Sequence, residues 1–193
     1  MIGVSAGGLT ALKTLLPALP ESFPLPIAIV QHIHASSDSY LSEYLDQLCT
    51  ITVKEAEDKE PLRAGTAYLA PAGYHLLIEP ERTFALSVDP SVNHSCPSID
   101  VLFESAAEVF ADSLIGIVLT GASADGSRGL AAIKARGGLA IVQNPETAET
   151  PYMPKAALAA ARADHVVDLE EIAPLLVRLA SVAKERTHAS PGQ

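Results

Sequence analysis

The sequence predicts an α/β domain: a doubly wound, mostly parallel sheet with helices on both faces and one inserted antiparallel β-hairpin. Three observations carry this expectation. Short runs rich in β-branched residues alternate with Ala- and Leu-rich stretches of helical period, the pattern of a parallel sheet covered by helices. The middle of the chain breaks that rhythm with short strand-like runs separated by turn residues. The 193 residues, 48% of them hydrophobic and 19% charged, are enough for one full-sized domain with a real core and too few for two.

The elements follow in order. Ile2–Val4, Ile27–Gln31, 114–119, Leu139–Gln143 and His165–Val167 read as buried central strands, each followed by turn residues or a helix start. Strand one has only Met1 to Val4 before Ser5, short against a usual five or six residues or so. Leu9, Leu12, Leu15, Leu16 and Leu19 recur at threes and fours, and Pro17 and Pro20 end that first helix. Segments 51–55, 67–70, 75–78 and 84–88 are the irregular middle, read as an antiparallel hairpin inserted at a sheet edge. Over Ile99–Phe110 the residues Ile99, Leu102, Phe103, Ala106 and Phe110 share one helical face, with Ser98 as its cap. Gly137 and Gly138 close a helix that starts near Ser127, and Asp168 with Glu171 approximates a capping box for the last one. The domain is expected over 1–184, with 185–193 a polar tail.

Composition narrows the function classes. Thirteen basic against 23 acidic side chains give a formal charge of −10 and a pI near 4.9, the wrong sign for gripping phosphate backbones, so nucleic acid is not an expected partner. Cys49 and Cys96 alone build no disulfide framework, which fits a reducing cytoplasm. No apolar run approaches the ~20 residues that span a bilayer, and no basic region precedes an apolar one at the N-terminus. A cytoplasmic protein without membrane insertion is expected.

Three loops fall at the carboxyl ends of expected parallel strands, the edge where open α/β sheets build ligand sites. They are Ser5 to Gly8, Gln31 to His34, and Thr120 to Gly126. A serine hydroxyl is a poor nucleophile at neutral pH: it needs an imidazole to take its proton and a carboxylate to orient that imidazole. Ser5, His32 and Asp125 supply the three types. Taken singly, each has a plainer reading: Ser5 as a cap or phosphate-loop residue, His32 as a strand-end histidine, Asp125 as a turn aspartate before Gly126. Their common rim is what favours chemistry. The order Ser, His, Asp and the absence of a Gly-x-Ser-x-Gly elbow disfavour an ordinary lipase or esterase. His32 and His34 form a His-x-His pair, but no further ligand follows at metal spacing, and no metal is expected.

Beyond single residues, Ile2 to Gly8, Val30-Gln31-His32, Ala67 to His75, Pro97-Ser98-Ile99-Asp100-Val101-Leu102-Phe103, Leu119-Thr120-Gly121 through Asp125-Gly126, and Met153-Pro154 stand in a recognisable order. Together they resemble the catalytic domain of CheB-type chemotaxis protein-glutamate methylesterases, from Ile2 to about Leu176. The resemblance implies a hydrolase without cofactor that demethylates glutamate methyl esters on chemoreceptor signalling helices, releasing methanol, and in some members deamidates glutamine. It implies Ser5 as nucleophile, His32 as general base and Asp125 as the carboxylate behind it. Ala6, Gly7, Gly121 and Ala122 are the expected oxyanion and substrate-binding positions, with backbone N–H groups near Ala6 and Ala122 as donors. A methyl-accepting chemoreceptor is the expected substrate, with a separate regulatory or methyltransferase partner beside it. No receiver domain precedes the esterase region, so control by phosphorylation within this chain is not expected. Departures are Ala6 for a common threonine, Ala122 for a common methionine, and Cys96 for an arginine before the Pro-Ser pair.

Two other readings compete. A catalytically weak receptor-binding module is suggested by the short first strand, which would hold Ser5 loosely. A nucleotide- or phosphate-binding domain would use Ser5 to Gly8 as an anion loop, but lacks Gly-x-Gly-x-x-Gly spacing and a P-loop lysine. Arg63, Arg82, Arg128 and Arg136 are candidates for a basic patch facing an acidic receptor.

Overall fold

A seven-stranded parallel sheet organises the chain in a computed structural model that describes residues 1–33 and 40–188, with side chains described as far as 182. In chain order the strands are β1 (Ile2–Val4), β2 (Ile27–Gln31), β3 (Thr52–Glu55), β4 (Thr66–Leu69), β5 (His75–Ile78), β6 (Phe84–Ser87), β7 (Ile115–Val118), β8 (Leu139–Gln143) and β9 (His165–Val167). The helices are α1 (Gly8–Leu15), α2 (Tyr40–Asp46), α3 (Ile99–Phe110), α4 (Ser127–Ala135), α5 (Tyr152–Ala160) and α6 (Leu169–His188). The sheet runs β3-β4-β2-β1-β7-β8-β9, and β5 with β6 forms a separate antiparallel pair. From β1 the chain first builds outward through β2 on one side and later through β7 on the other. The carboxyl ends of β1 and β7 therefore flank the point where loops diverge, where such sheets leave a crevice.

Side-chain alternation along the strands makes two cores. Ile27 and Ile29 face one layer with Leu12 and Leu15 of α1, Leu16 at its C-cap, Leu45 of α2 and Ile172 and Leu176 of α6. Ala28 and Val30, one residue out of phase, face the other with Ile99 and Phe103 of α3, Leu130 and Ile133 of α4, and Met153 of α5. Phe84 of the hairpin packs there against Tyr68, ring centroids 4.8 Å apart. Helices on both faces, with strands buried between them, are what the alternating sequence blocks predicted.

Several local expectations change. Of the four middle segments, only β5 and β6 form the antiparallel hairpin; β3 and β4 join the main sheet in parallel with β2. Four-residue runs have the same composition in either orientation, so direction is set by the connection. Residues between β3 and β4 pair instead with the start of β6, through Lys59 N–H to Phe84 O and Phe84 N–H to Glu60 O at 2.8 and 2.9 Å. β9 is an edge strand rather than a central one, with Val166 exposed. Ser98 stands at the N-cap of α3, but its hydroxyl makes no cap bond and donates to Asp125 instead. The capping box of α6 is half made: Asp168 N–H donates to Glu171 Oε2 at 3.2 Å. α6 extends through His188, so the start of the expected 185–193 tail is helical, and 189–193 lie outside the described residues. His34 also lies outside them. Among the described residues no helix is long and apolar enough to cross a membrane, and no group of three His, Cys, Asp or Glu side chains is placed to hold a metal ion.

Candidate functional site

The short β1 is held from both sides, because it is central in the sheet. Ile2, Gly3 and Val4 are all buried and pair with β2, and Ile2 and Gly3 also pair with β7. Beyond the strand, Ser5 N–H donates to Thr120 O and His32 N–H to Val4 O, each at 3.0 Å. Both neighbouring loops are thus stitched to the one carrying Ser5. The loose first strand that suggested a binding module is absent.

Ser5, His32 and Asp125 meet. Asp125 Oδ2 lies 2.8 Å from His32 Nε2, and Ser5 Oγ lies 3.2 Å from His32 Nδ1. A carboxylate only accepts, so Nε2 carries the ring proton and donates to Asp125, leaving Nδ1 bare to accept the Ser5 hydroxyl. The His32 side chain is 14% exposed and Asp125 wholly buried. Solvent therefore reaches the serine side of the relay and not the carboxylate.

Asp125 is held by more than His32. Its Oδ1 accepts from Ser98 Oγ, Asn93 Nδ2 and Asp100 N–H at 2.8, 3.1 and 3.2 Å, and its Oδ2 accepts from Ile99 N–H at 2.7 Å. Burial pushes this carboxyl up, but the bonds from His32, Ile99, Asn93 and Ser98 outweigh it and hold it below the usual carboxylate range. Asp100 lies beside it, and its Oδ1 accepts Gly126 N–H and Gly129 N–H at 2.9 and 2.7 Å, tying the start of α4 to that of α3. Burial dominates there, and with repulsion from Asp125 it raises the Asp100 carboxyl against the Gly129, Arg128 and Asn93 contacts.

Gln31, the last residue of β2, faces back toward the same point. Its Nε2 donates to Ser5 O at 3.0 Å and His32 O at 2.9 Å, so one amide spaces both loops. The amide fits only because residue 8 is glycine: a Cβ there would stand 1.8 Å from Gln31 Oε1.

The four expected oxyanion and substrate positions divide. Ala6 and Ala122 are exposed at the rim, and their N–H groups have no hydrogen-bond partner among the described residues. Gly7 adopts φ 79° at the N-cap of α1. Gly121 is a correction, because its N–H already donates to Thr150 O at 2.9 Å and is not free for an oxyanion. Its role is close approach, since a Cβ there would stand 2.2 Å from Met153 Sδ and 2.8 Å from Ser5 Cβ. A cavity of about 400 Å³ opens beside Ser5, lined by Gln31, Leu9, Ile33, Leu41 and Glu149. A second, of about 440 Å³, opens on the far side of His32 toward His94 and Cys96. Of the basic-patch candidates, Arg128 and Arg136 pair with Glu104 and Glu108, Arg82 covers the Phe110 ring, and Arg63 is exposed.

Sequence reasoning missed Asn93, Ser98, Asp100 and Gln31 as supports of the site. For Gln31, Ser98 and Asp100 the signal was a polar residue inside an otherwise apolar motif, where burial demands a partner; exposed Asn93 carried no such signal.

A parallel sheet carrying a serine, imidazole and carboxylate relay at its carboxyl edge defines an α/β protein of the serine-hydrolase type. The chain belongs to the CheB methylesterase family, whose family model matches residues 1–176. A relative in Leptospira interrogans is 55% identical over 179 residues, covering 93% of both chains, and its name carries methylesterase and glutaminase activities as a provisional assignment. The protein-glutamate methylesterase/protein-glutamine glutaminase of Symbiobacterium thermophilum is 36% identical over 92% of this chain, which spans 49% of that protein. The crystal structure of the Thermotoga maritima CheB methylesterase catalytic domain superposes with a TM-score of 0.89 at 35% identity, over 92% of this chain and 96% of that one.

Proposed function

We propose that this chain hydrolyses glutamate methyl esters on the signalling helices of methyl-accepting chemoreceptors, in the cytoplasm, releasing methanol. The observation that carries the reading is the unbroken hydrogen-bond relay from Ser5 through His32 to the buried Asp125. Ser5 Oγ attacks the ester carbonyl while His32 Nδ1 takes its proton. The imidazolium is stabilised by Asp125, whose surrounding donors keep it charged. The N–H groups of Ala6 and Ala122, unpartnered among the described residues, are the donors for the developing oxyanion. His32 then gives its proton to the departing methoxide, and methanol leaves. Water, deprotonated by His32, attacks the glutamyl ester of Ser5, and the returned proton frees the Ser5 hydroxyl and the product glutamate. The same steps with ammonia as leaving group deamidate glutamine, which the names of the relatives support.

The test is methanol release from a methylated receptor signalling fragment by the unaltered chain and by Ser5→Ala. Release that disappears with Ser5 supports the reading. Equal release from both, or none from the unaltered chain, overturns it.

A further inference from the structure

The cavity beside Ser5 has a charge that the relay does not use. Glu149, in the connection between β8 and α5, lies against Gly7: a Cβ built on Gly7 would stand 3.0 Å from both Cδ and Oε2 of Glu149. Gly7 is the N-cap of α1, whose first turn carries no acidic residue of its own. The Glu149 carboxylate thus takes the place at the positive end of α1 that an outside anion would need. It makes no hydrogen bond or ion pair among the described residues, so no cation among them cancels it. Gln31 lines the same cavity, with its Oε1 buried and its Nε2 spent on Ser5 O and His32 O, so Glu149 is the charged group of that wall. Leu9, Ile33 and Leu41 give the wall its apolar surface, with Thr10 beside them. The apolar side chains suit the methyl group of a neutral ester, and the Glu149 carboxylate can accept from an amide NH2. They oppose the carboxylate that replaces it, because hydrolysis creates a negative charge at Ser5 within the cavity that Glu149 lines.

Resting on the methylesterase reading, we propose that Glu149 is a specificity-determining residue that sets this cavity against carboxylates. It discriminates the methylated or amidated side chain from the free glutamate and speeds the product's departure. Unmodified glutamates are refused by the same repulsion.

The experiment uses one helical receptor fragment in two forms, one bearing a single glutamate methyl ester and the other the free glutamate. The KM for the ester form and the inhibition constant of the free form are measured by methanol release, for the unaltered chain, Glu149→Gln and Glu149→Lys. The ratio of inhibition constant to KM is expected to fall roughly 5- to 10-fold in Glu149→Gln and further in Glu149→Lys, as expected for one screened charge pair. Added salt is expected to lower that ratio in the unaltered chain and to leave it flat in Glu149→Gln. A ratio unchanged by both substitutions, with methanol still released, overturns this inference and leaves the methylesterase reading standing. No methanol from the unaltered chain overturns both.

Discussion

Asp125 and Asp100 are two buried carboxylates joined by one amide: Asn93 Nδ2 donates to Asp125 Oδ1 at 3.1 Å and to Asp100 Oδ2 at 2.8 Å. Adjacent buried charges repel strongly, and the pair is tolerable because each carboxylate is also tied to backbone N–H groups at helix starts. The two are pushed in opposite directions, Asp125 below the usual range and Asp100 above it. One keeps a charge at the pH where the imidazole needs it, and the other holds α3 to α4 at the expense of stability.

That opposition has a signed consequence for stability. Asp125, depressed on folding, contributes stability that is present above the ordinary carboxylate value of about 3.9 and is lost as pH falls through its folded value. Asp100, raised on folding, contributes most below that ordinary value and loses its contribution as pH rises through its folded value. Asp100→Asn keeps an oxygen for Gly126 and Gly129 and removes the titration. The unfolding free energy from urea titrations between pH 3 and 8 is expected to lose a downward slope above pH 4, of at most about 1.4 kcal/mol per pH unit. A slope identical in both proteins would contradict the assignment.

Asp125→Asn places an amide NH2 among five converging donors, whichever way it turns. Stability is expected to drop by about 1–3 kcal/mol, and kcat for methanol release by roughly 10³- to 10⁴-fold through loss of the imidazole's orienting charge. Steady-state kinetics beside chemical denaturation separates the two effects.

Gly8→Ala tests the Gln31 brace. The added methyl collides with Gln31 Oε1, and the amide that joins Ser5 O to His32 O must leave. Crowding of this kind destabilises by about 1–3 kcal/mol. Catalysis is expected to fall by roughly 10²-fold or more, because small misplacement of reacting groups is costly. Near-normal kcat in a folded Gly8→Ala protein would show that the brace is dispensable.

How much of this was legible in the residues depends on what each residue answers to. The period of Leu9, Leu12, Leu15 and Leu16 and the short β-branched runs reflect burial, a property of each segment alone, so β2 and β8 emerge with their observed bounds and α1 emerges as a helix, ending at Leu15 before Pro17 with Leu19 beyond it. The pairing partner of 66–69 does not, since it depends on where the chain returns after 56–65. At the site, Ser5, His32 and Asp125 were visible as residue types at strand ends, and they do meet. Ser98 was misread because its sequence position is that of a cap; only the fold reveals the carboxylate that its hydroxyl prefers. That the Gly121 N–H is bonded is not legible either, since it depends on where Thr150 is placed.

The central claim is that His32, polarised by Asp125, makes Ser5 a nucleophile. The most direct measurement is intact-mass and peptide analysis after incubation with a serine-directed phosphonate, for the unaltered chain, Ser5→Ala and His32→Ala. The account predicts a single adduct on Ser5 in the unaltered chain, none in Ser5→Ala, and labelling slowed by orders of magnitude in His32→Ala. An unlabelled Ser5 in the folded unaltered chain, or equal labelling without His32, would contradict it.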